Sequence, residues 1–168
     1  TVKMGKTLTA SDFDIHAPNH KGEGDSIRAR VIGVLENQAP TKALEADLTV
    51  ANGLVAGDPA QAICQIALVE RHRATGDVVN ALGSVFGYDG PCALASTVAQ
   101  ASPHMIVGGT SKEDMALAAK RLKVVGGGVT FFANGQEQAL IEMPIAGLMS
   151  TERAEVVADK AEKLIEAM

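Results

Sequence analysis

Two Asn-Gly pairs, each between runs of alternating or β-branched residues, constrain the fold of this chain most strongly. Asn52-Gly53 follows residues 44–50, in which every second residue is apolar, and Asn134-Gly135 joins residues 129–132 to residues 137–143. A two-residue hairpin turn of type I′ needs positive φ at both central positions, which Asn and Gly adopt readily. The sequence therefore predicts two β-hairpins.

Two segments have the three- and four-residue apolar spacing of amphipathic helices. In the first, Ser111 stands where an N-cap belongs, acidic residues follow it, and Gly126 ends the pattern. Its predicted buried stripe consists of Met115, Ala118, Ala119, Leu122 and Val125. The second segment begins with an acidic turn, and its predicted inner stripe consists of Ala154, Val157, Ala161, Leu164 and Met168. We expect helices over about 111–125 and 151–167.

The remaining apolar runs are short and predict strands. Residues 27–35 alternate, with Arg28 and Arg30 on the solvent side, and residues 63–69 form a run that suits a strand buried on both faces. The expected fold class is therefore α+β, with a mixed or antiparallel sheet, hairpins and two main helices. We expect an extended linker or N-terminal arm over residues 1–25 and the folded domain over residues 26–168.

Composition excludes several function classes. The 168 residues include no Trp and one Tyr and carry a net charge of −5, which argues against a nucleic-acid partner. No apolar run has the length of a membrane span, so no membrane partner is expected. Cys64 and Cys92 lie in apolar runs without ligand-like spacing, which predicts buried, reduced thiols and a cytoplasmic location.

Motifs for catalysis within the chain are missing from the sequence. It has no P-loop and no nucleophile elbow, and the Gly126–Gly128 run follows a helix, where a phosphate-binding loop would precede one. His16 and His20 have the spacing of a helical zinc pair, but Pro18 lies between them. We expect no catalytic residue and no metal ligand in this chain.

Two polar segments remain as site candidates. Glu70, Arg71 and His72 end the buried run, where a strand delivers ionisable groups to a sheet edge. The alternative is a solvated strand end in which Glu70 pairs with Arg71. Ser102 and His104 lie in a polar loop between two apolar runs, for which an ordinary connecting loop is the alternative. A Ser96 or Thr97 nucleophile beside His104 lacks an orienting acid.

An ordered series of motifs resembles one family. It comprises Val69-Glu70-Arg71-His72 with Thr75-Gly76, Ala95-Ser96 with Val98-Ala99, Ile106-Val107 with Gly109-Thr110, residues 113–118, Arg121-Leu122, Gly126-Gly127-Gly128 and residues 144–150 (Pro-Ile-Ala-Gly-Leu-Met-Ser). From about Ile27 to the last residue, the chain resembles the C-terminal domain of bacterial adenine deaminases of the amidohydrolase superfamily.

The resemblance implies a hydrolase of purine metabolism that converts adenine and water to hypoxanthine and ammonia. A divalent metal, Mn, Fe or Zn, would lie in an N-terminal catalytic barrel and make hydroxide available near neutral pH. This chain alone would be inactive. It would pack on that barrel within a homo-oligomer and contribute a loop near the active-site mouth, with Glu70, His72, Ser102 and His104 as the residues near the purine substrate.

One departure from the family concerns residues 99–104. The family's Ala-His-Asp-Ser-His-Asn is replaced by Ala-Gln-Ala-Ser-Pro-His, so that only Ala99 and Ser102 match. The alternative function is therefore a structural or oligomerisation domain of a diverged amidohydrolase with a different substrate. The chain begins Thr1-Val2-Lys3, which favours a processed product or part of a longer protein over a free-standing small-molecule binding domain.

Overall fold

The computed structural model describes residues 2–17, 24–36, 38–84, 87–88, 90–99 and 104–168. The strands are β1 (Ile15–His16), β2 (Ser26–Gly33), β3 (Lys42–Ala51), β4 (Leu54–Val55), β5 (Ile63–Val69), β6 (Val78–Ser84), β7 (Cys92–Ser96), β8 (Met105–Gly109), β9 (Gly128–Ala133) and β10 (Gln136–Glu142). The helices are α1 (Lys112–Val125) and α2 (Ala154–Ala167), and short 3-10 turns cover Ala10–Phe13 and Pro59–Gln61. The α+β class is confirmed.

The described strands form one sheet in the order β1-β4-β3-β2-β6-β5-β8-β7-β9-β10. Neighbouring strands are antiparallel except β2 and β6, which run parallel and pair only at Ile32 with Gly83 and at Gly33 with Ser84. Both predicted hairpins are confirmed, because positive φ angles of 52° and 74° at Asn52 and Gly53, and of 53° and 78° at Asn134 and Gly135, join β3 to β4 and β9 to β10.

The two predicted helices are present, and the second begins later than expected. Ser111 caps α1 by accepting from the backbone N–H of Asp114 at 3.1 Å. Of the predicted stripe of α1, Met115, Ala118, Ala119 and Leu122 are buried and Val125 is partly buried. Helix α2 begins at Ala154, and Arg153 holds the N-cap position without a capping hydrogen bond from its side chain. Leu164 is the buried residue of α2, while Met168 is 50% exposed. Within the described residues, neither helix has the length and apolarity to cross a membrane.

Successive residues of the central strands β5, β7 and β8 point to opposite faces of the sheet. One face carries Ala67, Val69, Ala95 and Val107 and packs against α1. On the other face, α2 covers the end of the sheet at β9 and β10. A third cluster lies among β2, β3, β4, β5 and β6. The sheet is thus covered on one side along its centre and on both sides at the β9–β10 end.

The N-terminal segment contributes to the core, which differs from the linker expected for residues 1–25. Val2, Met4, Leu8 and Phe13 join the cluster beneath α1, and Phe13 is fully buried. The N–H of Lys3 donates to the carbonyl of Arg71 at 2.9 Å. These apolar residues have irregular spacing because the segment is extended and irregular, so its sequence lacks a period that would indicate burial.

Candidate functional site

The turn after β5 is built around the carboxylate of Glu70. It accepts hydrogen bonds from the backbone N–H groups of His72 (2.5 Å), Arg73 (2.8 Å) and Thr75 (3.2 Å). These donors stabilise the charged form, with the Arg73 N–H contributing most, and they lower the pKa of Glu70 to about 2. The turn therefore holds a fixed negative charge at the end of the strand.

Arg71 points away from Glu70 and into the protein. Its side chain is 2% exposed, and Nη1 donates to the carbonyl oxygen of Ala146 at 3.0 Å. Burial lowers the pKa of the Arg71 guanidinium. The expectation of a solvated strand end is wrong for Arg71, because this buried cation hydrogen-bonds to the loop at 144–149, 75 residues further along the chain.

Thr97 fixes the same loop from another side. Its fully buried hydroxyl accepts from the N–H of Gly128 at 2.8 Å and donates to the carbonyl of Gly147 at 2.6 Å. The hydroxyl thus accepts one backbone hydrogen bond and donates another, and Thr97 thereby connects the start of β9 to the 144–149 loop. The alternative of a Thr97 nucleophile is wrong for this reason.

Glycines allow the loop to approach the sheet. Gly127 has φ +123°, and a Cβ there would lie 2.4 Å from the Cα of Gly147. Gly147 has φ +73°, and a Cβ there would lie 2.8 Å from Nη1 of Arg71. Side chains at these two positions would therefore force the loop away from Arg71 and Thr97.

His72 and His104 come together at the rim of the turn. Their ring centroids are 5.5 Å apart with the planes tilted by 55°. A surface pocket of about 490 Å³ lies beside them, lined by Glu70, His72, Arg73, Thr75, Asp77 and His104. Nδ1 of His104 is buried without a hydrogen-bond partner among the described residues. The pocket places these two imidazoles next to the side chains of Glu70 and Asp77.

Three of the four predicted site residues thus share one pocket: Glu70, His72 and His104. Ser102, like Gln100, Ala101 and Pro103, lies outside the described residues. Over the part of the chain that the structure describes, no group of three or more His, Cys, Asp or Glu side chains is arranged to hold a metal ion.

Sequence reasoning missed the roles of Arg71, Thr97 and Ala146. These residues lie far apart in the chain, and no local pattern links them. The Glu70 turn had a local signal, since an acidic residue followed closely by Thr75-Gly76 is typical of a side chain that accepts from its own turn.

A larger groove of about 840 Å³ lies along β2 and β3, away from the histidines. Its lining includes Arg28 and Glu45, which form an ion pair at 2.7 Å with both side chains more than half exposed. An exposed ion pair of this kind contributes little to stability and does not hold its side chains in one position. We therefore place the candidate site at the smaller pocket, where buried elements fix the ionisable groups.

Comparison with known proteins identifies the family. The family model described as the adenine deaminase C-terminal domain matches residues 38–168. The chain belongs to this family. The match begins in the loop before β3 and includes the Glu70 turn, the 144–149 loop and both helices of this adenine deaminase C-terminal domain.

Curated relatives match the whole domain. The adenine deaminase of Mesorhizobium japonicum is 65% identical over 168 residues, which is 100% of this chain and 27% of the relative. Adenine deaminase 3 of Rhizobium meliloti is 60% identical over 100% of this chain and 28% of its own length. The adenine deaminase of Rubrobacter xylanophilus is 40% identical over 94% of this chain and 25% of its own length. The chain spans about a quarter of the curated relatives it matches.

Proposed function

We propose that this chain is the C-terminal domain of a metal-dependent adenine deaminase, a hydrolase of purine metabolism that converts adenine and water to hypoxanthine and ammonia. The observation that carries the proposal is the match of relatives named adenine deaminase over the full 168 residues, at up to 65% identity. The family match over residues 38–168 supports the same domain.

In this proposal the reaction takes place in an N-terminal catalytic barrel that holds a divalent metal, Mn, Fe or Zn. The residues of this chain pack on that barrel and place the His72–His104 pocket near the active-site mouth. There the two imidazoles contact a polar purine, while the 144–149 loop, fixed by Arg71 and Thr97, keeps the turn in position. Closing this side would exclude water from the site. We also propose a homo-oligomer in the cytoplasm.

The first test is the intact mass of the natural gene product that contains these residues. The proposal expects a polypeptide of about the relatives' length, and a natural product of 17.4 kDa would contradict it. The 168-residue chain alone should not deaminate adenine with added Mn²⁺, Fe²⁺ or Zn²⁺. Turnover at an enzyme-like rate would place the chemistry within this chain.

The pocket is tested by His104→Ala and Ser102→Ala in the full-length enzyme. His104 lines the pocket, so its loss should lower kcat/KM for adenine by about tenfold, the effect of about 1.4 kcal/mol. His16→Ala is the matched control, because His16 is an exposed histidine on β1. If kcat/KM is the same in all three variants and in the parent, the domain is structural and the pocket is not part of the purine site.

A further inference from the structure

The second face of the central strands is apolar, and the described residues cover only part of it, where Ile66 and Leu94 pack against the cluster that contains Tyr88, Phe131 and Leu164. Leu68 on β5, Ile106 on β8 and Val79 on β6 lie outside that cluster, and we call these three residues the uncovered face. Ile106 is 41% exposed and Val79 is 66% exposed. On the opposite face, the neighbouring residues Ala67, Ala95, Met105 and Val107 are fully buried beneath α1 and the N-terminal segment.

This pattern is unusual for an antiparallel sheet with one free side. Such a side normally carries polar residues at alternate positions. Here the registered pairs place Leu68 opposite both Val79 and Ile106, so that aliphatic side chains adjoin across three strands. A groove of about 260 Å³ runs over the same surface, lined by Ile66, Tyr88, Leu94, Ser96, Ile106 and Gly108. A continuous apolar surface of this kind is typical of an interaction site.

The uncovered face continues directly into the histidine pocket. The last registered pair of β5 and β8 joins Val69 to Met105, and the next residues along the two strands are Glu70 and His104. Both line the pocket. A protein that covered the aliphatic side chains would therefore also close the side of the pocket where His104 lies.

We propose that the uncovered face is the surface on which the catalytic part of the same polypeptide docks, with the histidine pocket at its border. Three observations favour this occupant. About three quarters of each relative lies outside the matched part, so in the relatives a large partner belongs to the same polypeptide. The three residues carry no charge, as is typical of permanent rather than transient interfaces. The surface is also continuous with the pocket that the proposed function places near the active site.

The inference rests on the proposed function for the identity of its partner, and thiol labelling in the full-length enzyme tests it. Val79→Cys and Val124→Cys form a matched pair, since the two valines are 66% and 70% exposed in this domain and lie on opposite sides of it. Ile106→Cys is a second probe of the uncovered face. The native Cys64 and Cys92 are buried, and burial raises the pKa of Cys64 to about 12, so their background reaction is slow.

We expect the thiols at 79 and 106 to react at least tenfold more slowly than the thiol at 124, at every protein concentration. Equal rates, or slower reaction at 124, would overturn the proposal. Protection that disappears on dilution to monomers would also overturn it, because the cover would then be a second copy. Hydroxyl-radical footprinting of Leu68 and Ile106 in the unsubstituted enzyme gives the same comparison without a cysteine variant.

Adenine deaminase activity is measured on the same samples, so that the two proposals fail separately. Activity with an unprotected face would overturn the docking surface and leave the function in place. A protected face in a full-length protein without activity on adenine would leave the docking surface in place and overturn the substrate.

Discussion

Glu70 and Arg71 are adjacent in the chain, yet their charged groups stabilise different parts of the structure. The Glu70 carboxylate organises the turn that follows it through three backbone N–H groups. The Arg71 guanidinium holds a loop that is distant in sequence through the carbonyl of Ala146. Two consecutive residues therefore connect the rim of the histidine pocket to the loop that packs behind it.

The Glu70 turn should show a specific pH dependence. Because the folded state lowers the pKa of Glu70 from 4.5 to about 2, its stabilising effect is complete above about pH 4.5 and is lost as the pH falls toward 2. We expect the urea midpoint of the parent to exceed that of Glu70→Gln at pH 6, with the difference shrinking between pH 4.5 and pH 2. Glu162→Gln, at an exposed position of α2, is the control and should show no such change. A constant difference for Glu70→Gln would contradict the assigned hydrogen bonds.

The 144–149 loop is an element whose shape depends on contacts from several parts of the chain. It closes on itself through Leu148 N–H to Ile145 O at 3.0 Å, with Ala146 at φ +56°. Thr97 and Arg71 then hold its backbone, and Gly127 leaves room for it. The loop is thus a rigid part of the site although it has no regular secondary structure.

Gly127→Ala should be much more costly than an equivalent change at Gly135. Both residues have positive φ, +123° and +78°, but a Cβ meets Gly147 at 2.4 Å in the first case and nothing within 4 Å in the second. We expect a loss of about 3 kcal/mol at Gly127, from steric overlap added to backbone strain, and about 1 kcal/mol at Gly135. Urea unfolding of both variants measures the difference. Equal losses would mean that the loop does not pack against Gly127.

Local sequence patterns predict the hairpins and the helices but not the loop packing. Asn-Gly turns, the Ser111 cap and the α1 stripe each depend on residues within one or two turns of the chain. The hydroxyl of Thr97 and the carbonyl of Gly147 are 50 residues apart, and nothing in either segment indicates the other. The pairing of His72 with His104 likewise needs β5 and β8 to be neighbours, which periodicity alone does not determine.

At the scale of the whole molecule, the N-terminal segment and the sheet fold as one unit. Phe13 is buried in the cluster between α1 and the sheet, and its carbonyl accepts from the side chain of Gln65. Asp14 forms an ion pair with Lys112 at the start of α1. Asn80 donates to the carbonyl of Asp12 at 3.0 Å. The segment therefore joins β5, β6 and α1 and is part of the domain.

Phe13→Ala measures this contribution directly. Removing a fully buried aromatic side chain should lower the free energy of unfolding by about 4 kcal/mol. Val124→Ala, at a position 70% exposed, should change it by less than about 0.5 kcal/mol. Urea unfolding followed by circular dichroism gives both values. A flexible linker over residues 1–25 would instead make the two variants equally stable.

The parallel contact between β2 and β6 is short. Only two residue pairs cross this line, while β2 and β3 pair along eight and β5 and β6 along seven. Few backbone hydrogen bonds therefore connect strands β1 to β4 with the other six strands. The two groups of strands are held together mostly by aliphatic side chains that both groups contribute. We expect partial unfolding to begin at the boundary between β2 and β6. Amide protons of β2 and β3 should then exchange with solvent while those of β5 and β8 remain protected.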